Sequence, residues 1–377
     1  MLSTAHVTSR APYLKDSRMR LDEVLYLELD RGVREGVFPC AVAEVRRNGN
    51  NTAWAAKGMT SITAGGRATR ETLFDIASVT QAFMSTLVWR LHAQGVFSVD
   101  EPVRRYLPAF PGGDDVLVID LLRHTSGLPS WYPYYEEPEI SSRKALIDDI
   151  MLESLTPIGA ARKKAVLSHI GSIVLGEVVE AAVGWKALRW LMESEVTGPL
   201  ELESVRYLPA DGRDRATVEG RPVAATAVCP WRGRVLRGEV HDDNTWVMGG
   251  ISGNAGLFST AADVCRLGVA WLQARRGELP DFLPQDVALR ATTPSLGGKT
   301  PGFDIRLPRG SSVGTRMSPA TFGHLGFTGC SIWCDPDEDL VIVLLSNRIH
   351  PSITNWAIRE FRPTFHDVVV EAALSGK

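Results

Sequence analysis

The chain has 377 residues, 44% apolar and 23% charged, with a formal net charge of −3 at pH 7. That composition suits a soluble globular protein with a substantial core, and no cluster of Lys and Arg marks a nucleic-acid or anionic-membrane partner. The start, Met1 to Arg20, is polar and mixed in charge and lacks the apolar stretch of a signal peptide. No span is long enough to cross a bilayer, so the expected compartment is the cytoplasm.

A helix is predicted from Arg18 to Gly36, with Leu21, Val24, Leu25 and Leu29 on one face. The runs Ala41–Arg47 and Thr52–Gly58 read as a hairpin around Asn48-Gly49-Asn50. From about Ser78 to Gly198 the chain is mostly helical. Strand character returns in Phe322–Cys334 and Leu340–Ser346, joined by the turn Asp335-Pro336-Asp337, and a last helix runs from about Ile353 to Leu374. The expected class is α+β, a three-layer αβα unit whose antiparallel sheet draws on both chain ends. Residues 18–77 and 300–377 would form the sheet subdomain of this single unit, and residues 78–299 a mainly helical one.

The five cysteines, Cys40, Cys229, Cys265, Cys330 and Cys334, lack the close Cys/His spacing of a metal site. They read as free core thiols, with Cys330 and Cys334 on the same side of one strand. No metal or other cofactor is expected.

The segment Phe74-Asp75-Ile76-Ala77-Ser78-Val79-Thr80-Gln81 opens a helix that carries Phe83, Leu87, Val88 and Leu91 and ends at Gly95. A serine at a helix N-terminus is ordinarily a cap. Its context here extends through Gly95-Val96-Phe97-Ser98-Val99-Asp100-Glu101-Pro102-Val103, Tyr106-Leu107-Pro108 and Leu121-Leu122-Arg123-His124-Thr125-Ser126-Gly127-Leu128-Pro129. Together these runs resemble the serine β-lactamase and penicillin-binding-protein superfamily, in its branch of class C β-lactamases, D-alanyl-D-alanine carboxypeptidases and family VIII esterases. The resemblance covers nearly the whole chain and implies the β-lactamase/transpeptidase-like fold, with Ser78 as the serine of the Ser-x-x-Lys motif.

Gln81 stands where the resemblance implies lysine, and a glutamine amide takes up no proton near pH 7. Losing a positioned base typically costs roughly 10²–10⁴-fold in rate. The implied Tyr-x-Asn motif falls on Leu167-Ser168-His169, so leucine replaces the tyrosine and histidine the asparagine. One engineered substitution would explain Gln81 alone; two separate losses point to a site rebuilt naturally. His169 is either a packed helix-start histidine or a new acid/base group, since its ordinary pKa is about 6.5. Lys163 and Lys164 read as solvated, with reach into the pocket as the other reading.

The run Phe322-Gly323-His324-Leu325-Gly326-Phe327-Thr328-Gly329 resembles the superfamily's Lys-Thr-Gly strand in its histidine-containing form. It implies His324, Leu325, Gly326 and Phe327 along the cleft, and an oxyanion hole shared with the Ser78 N–H. Leu325 lacks the hydroxyl common at the motif's centre. The stretch Gly238–Asn244 with Gly249–Ser259 also fits this branch, with His241, Asp242 and Asp243 as loop-ordering residues. Trp131, Tyr132, Tyr134 and Tyr135 crowd one loop, which reads as core packing for one or two of them and otherwise as a pocket wall, with Trp131 and Tyr134 toward the ligand.

The partner expected is a small-molecule substrate; the oligomeric state is not legible. Three functions fit: covalent hydrolysis or acyl transfer through Ser78 with His169 or His324 as base; non-covalent elimination, isomerisation or cyclisation of a carbonyl-containing metabolite in specialised metabolism; and an inactive binding homologue.

Overall fold

The computed structural model describes residues 19–375 apart from 50, 64, 153–160, 213–217, 219 and 296–298. Arg18 and Asn50, expected in the first helix and first turn, lie outside the described residues, as does most of the Met1–Arg20 segment.

The first helix, α1 (Leu21–Arg34), is followed by β1 (Cys40–Arg47) and β2 (Asn51–Gly58). The short β3 (Phe74–Asp75) leads into α2 (Thr80–Ala93). Next come α3 (Val118–Leu122), α4 (Arg143–Met151), α5 (His169–Ala182) and α6 (Leu188–Met192), then β4 (Arg206–Tyr207), β5 (Val228–Cys229) and β6 (Arg234–Val235). After α7 (Asp243–Val247) and β7 (Leu257–Ser259) run α8 (Ala261–Arg275) and α9 (Gln285–Thr292). The chain closes with β8 (Asp304–Ile305), β9 (Phe322–Leu325), β10 (Ser331–Asp335), β11 (Leu340–Ser346) and α10 (Ile358–Ser375).

The main sheet has six strands in the order β2-β1-β11-β10-β9-β8. Its centre joins the two chain ends: β1 pairs antiparallel with β11, from Ala41 opposite Ser346 to Arg47 opposite Leu340. Strand alternation gives this sheet two apolar faces. Ala41, Ala43, Val45, Ile342 and Leu344 pack with Leu25 and Leu29 of α1 and Phe365 and Val369 of α10. Val42, Val341, Val343 and Leu345 join the larger core, which includes Val264 and Trp271 of α8 and most of α2. Helices therefore cover both faces, the three-layer α+β arrangement expected from the sequence.

The expected strand Phe322–Cys334 is in fact two antiparallel strands, β9 and β10. Gly329, at φ +108°, and the Gly326 N–H donating to Cys330 O turn the chain between them. Cys330 thus lies at the turn's end, not in a strand with Cys334. All five cysteines are free and buried.

α2 is buried on every side from Thr80 to Leu91. A helix so enclosed is held by tertiary packing more than by its own propensity. It fixes the place from which the candidate site is built.

Candidate active site

Ser78 does not begin the long helix, as its sequence suggests; it sits in a single 3₁₀ turn, Ala77–Val79, directly before α2. The residue ahead of it, Ala77, has φ +47°. For a residue with a Cβ that conformation costs on the order of 1 kcal/mol and persists only when neighbours enforce it. Asp75 is one such neighbour, accepting the Ala77 N–H at 2.9 Å on Oδ1. The backbone N–H groups of Ser78 and Phe327 have no acceptor among the described residues. The family resemblance implies an oxyanion hole made by the Ser78 N–H and a backbone N–H at the end of the β9 motif, without naming the second donor.

Gln81 is buried, and its Oε1 accepts the Ser172 hydroxyl of α5 at 3.1 Å. Its Nε2 has no partner among the described residues. The amide lines an interior cavity of about 10 Å³ with Ser85, His124, Ser172, Gly253 and Gly302. The side chain in the lysine's place is thus bonded to α5, and among the described residues it makes no hydrogen bond to Ser78.

α5 starts at His169, and the Ser168 hydroxyl caps it by accepting the Gly171 N–H at 2.9 Å. Ser168 also donates to Pro129 O, and the His169 N–H donates to Ser130 O at 2.8 Å. These bonds lock the helix start to the loop after Gly127. Leu167 is exposed, His169 is half-buried, and the His169 Nδ1 is buried without a partner among the described residues. His124, at φ +56°, accepts the Ser168 N–H at Nδ1. Burial pushes its pKa down to about 3, and the Lys299 ammonium adds to the effect.

On β9, His324 is buried and its Nδ1 lies 3.0 Å from Leu325 O. That carbonyl can only accept, so Nδ1 carries the hydrogen and Nε2 the lone pair. Burial lowers the His324 pKa, partly countered by Asp304, so the ring is neutral at pH 7. Gly326 brings this strand against the serine turn: a Cβ there would stand 2.6 Å from Ile76 O. Leu325 is a correction. It packs with the α1/α10 layer, on the face of β9 opposite His324, and not in the cleft.

A model of the Beta-lactamase family matches residues 28–359. The chain belongs to the Beta-lactamase family. It is similar to an N-acetylmuramyl-L-alanine amidase of Bacillus subtilis, 32% identical over 356 residues, which cover 86% of this chain and 80% of that protein. Among solved structures it resembles EstCE1, described as a hydrolase with promiscuous acyltransferase activity, with a TM-score of 0.72, 18% identity and 93% and 98% of the two chains covered. It also resembles an octameric penicillin-binding protein homologue from Pyrococcus abyssi, with a TM-score of 0.67, 18% identity and coverage of 92% and 76%. At that identity these two likenesses speak for the fold alone, that of the β-lactamases and transpeptidases.

Two groups in this Beta-lactamase family member were not singled out from its sequence. Lys299 forms an ion pair with Asp304 of β8, and both act electrostatically on His324 and His124. His169 acts on the same two histidines. Five titratable side chains thus share one region, two of them, His124 and His169, from the helical part of the chain and three, Lys299, Asp304 and His324, from the later strand region.

The aromatic loop divides. Tyr134 is fully buried in the main core, its hydroxyl without a partner among the described residues, so its expected place on the pocket wall is corrected. Trp131 is exposed, and its ring contacts Tyr135, which contacts Trp231, which meets Trp246 edge-on. The buried Arg232 side chain lies beside Trp231 and Trp246 and donates to His241 O at 2.8 Å. His241 stacks on exposed Phe327, with centroids 5.7 Å apart, and Phe327 in turn meets Trp356. Asp242 caps α7 by accepting the Thr245 N–H, and Asp243 pairs with Arg232, the ordering role expected of that loop.

Proposed function

We propose that this chain is an enzyme that binds a small carbonyl-containing metabolite and carries out non-covalent acid/base chemistry on it: elimination, isomerisation or cyclisation. His324 moves the proton, His169 is the second titratable group within its field, and Ser78 donates a hydrogen bond to the substrate oxygen. The observation that carries this reading is the state of His324. It is neutral, its Nδ1–H is committed to Leu325 O, and its Nε2 has no partner among the described residues. A base near neutrality is efficient in that form. Ser78, by contrast, has neither familiar base, because Gln81 is bonded to Ser172 and Leu167 cannot titrate. The unpartnered N–H groups of Ser78 and Phe327 supply donors for developing negative charge without any covalent step. The exposed rings of Trp131, Phe327 and Trp356 suit an apolar flank on the metabolite.

The experiment is solvent-deuterium incorporation into the C–H positions next to the carbonyl of a panel of small ketones, esters and acids, followed by proton NMR. Wild-type protein exchanges at least one panel member; Ser78→Ala keeps part of the rate, whereas His324→Gln abolishes it. Exchange unaffected by His324→Gln would overturn the proposal.

A second reading is acyl transfer through Ser78, with a histidine as base. The strained Ala77 turn that presents the serine favours it, as does similarity to a protein named as an amidase. Covalent capture of Ser78 by a fluorophosphonate separates the two.

A further inference from the structure

We propose that Asp75 is a positioning residue that joins the two halves of the site, the Ser78 turn and the His241–Phe327 rim, and that it does so only as a carboxylate. Its buried side chain sits at the end of β3, with one oxygen on each half. Oδ1 accepts the Ala77 N–H at 2.9 Å, fixing the φ +47° residue ahead of Ser78. Oδ2 accepts the His241 N–H at 2.6 Å, across 166 residues of sequence, and the His241 ring stacks on Phe327. The Asp75 backbone also takes part: its carbonyl accepts the Thr328 hydroxyl at 2.8 Å, one residue beyond Phe327.

The chemistry of the two bonds sets the condition. Each oxygen faces an N–H donor, and a carboxylate has lone pairs for both. A carboxylic acid places an O–H on one oxygen, where it meets a donor instead of an acceptor. The hydroxyl oxygen is a much weaker acceptor than a carboxylate oxygen, so one of the two arms is weakened, whichever oxygen is protonated. Weakening the Ala77 arm loosens what holds the strained turn; weakening the His241 arm loosens the rim.

The proton falls within reach of mild acid. Burial pushes the Asp75 pKa up to about 6, with the two N–H bonds opposing that rise. The charged or titratable groups around it are Asp242, which raises it, Arg232, which lowers it, and the Cys330 thiol, which approaches the Asp75 carbonyl at 3.7 Å. His241 is itself kept neutral by burial, so its ring adds no charge at neutral pH.

This inference rests on Ser78 and the His241–Phe327 rim belonging to one site, but its test needs no turnover. In wild-type protein, the backbone amide proton shifts of Ala77 and His241 are followed by NMR from pH 7.5 to pH 5. Both are expected to move through one common midpoint near pH 6. In Asp75→Asn both lose that titration. Where deuterium exchange is detected, the step of its acid limb with a midpoint near pH 6 is absent in Asp75→Asn and the maximal rate falls below about one-tenth of wild type, while the loss of rate on protonation of His324 persists at lower pH.

Amides that do not move, that move with different midpoints, or that titrate unchanged in Asp75→Asn would overturn the inference. If Asp75→Asn does not fold, the common midpoint in wild-type protein decides the matter alone. Absence of deuterium exchange would count against the proposed reaction and leave the amide titration standing.

Discussion

The Gln81 side-chain carbonyl accepts the Ser172 hydroxyl at 3.1 Å, and this bond ties the lysine's replacement to α5. The substitution has therefore been absorbed into the packing between two buried helices. Gln81→Met tests that description. It removes an unpartnered buried N–H₂, and Ser172 keeps its second acceptor, Ser168 O, at 3.2 Å. Loss of one hydrogen bond and relief of one orphan nearly cancel, so urea denaturation should place the variant within about 1 kcal/mol of wild type. A loss above about 3 kcal/mol would mean that the Gln81–Ser172 bond supports the fold itself.

Tyr134 and Trp131 lie three residues apart in sequence and answer differently to truncation. Tyr134→Ala empties a core site and should cost about 3–5 kcal/mol, while Tyr134→Phe removes only an unpartnered hydroxyl and should be near neutral. Trp131→Ala, at an exposed position, should change stability by about 0.5 kcal/mol or less. Thermal or urea unfolding of the three variants checks the assignment.

Much of this was legible in the sequence, because motifs and strand composition are local. The runs around Ser78, His124 and His324 carry the family's pattern, and β-branched β11 and its partner β1 announce a sheet made from both ends. The remainder depends on where distant segments meet. The Trp131–Tyr135 loop contains Pro133 and has no period, so nothing local says that Tyr134 turns inward. Leu325 was placed in the cleft by its motif, whereas strand alternation puts it on the opposite face. The bond from His241 to Asp75 and the Lys299–Asp304 pair exist only once the chain has folded.

Gly326 is a glycine because the strand approaches the Ser78 turn too closely for a side chain. Gly326→Ala would place a Cβ 2.6 Å from Ile76 O, a backbone atom that cannot swing away. The variant should lose about 1–3 kcal/mol of stability, as overpacked interiors do. It should also lose deuterium exchange, because His324 and Phe327 shift with the strand. Full exchange in a folded Gly326→Ala protein would show that this contact does not position the site.

Acid should destabilise the protein in a defined window. His124 and His366 are held neutral, with pKa values pushed down to about 3 and about 4 mainly by burial. The unfolded chain protonates such histidines near pH 6.5, so their stabilisation is complete above that pH and is lost as pH falls through the window to those lower values. Each costs about 1.4 kcal/mol per pH unit within the window. Asp75 works in the opposite sense, since its raised pKa lets the folded chain bind a proton first between about 6 and 3.8. Two histidines outweigh one aspartate, so the urea midpoint should fall from pH 6.5 to pH 5. His124→Gln should reduce that slope.

The account turns on whether His324 or a reactive Ser78 carries the chemistry, and intact mass after prolonged incubation with a fluorophosphonate tests this most directly. The result predicted is an unmodified chain, with a hydroxyl that donates a hydrogen bond and does not attack. A stoichiometric adduct mapped to Ser78, absent in Ser78→Ala, would contradict the non-covalent reading and establish acyl-transfer chemistry in its place.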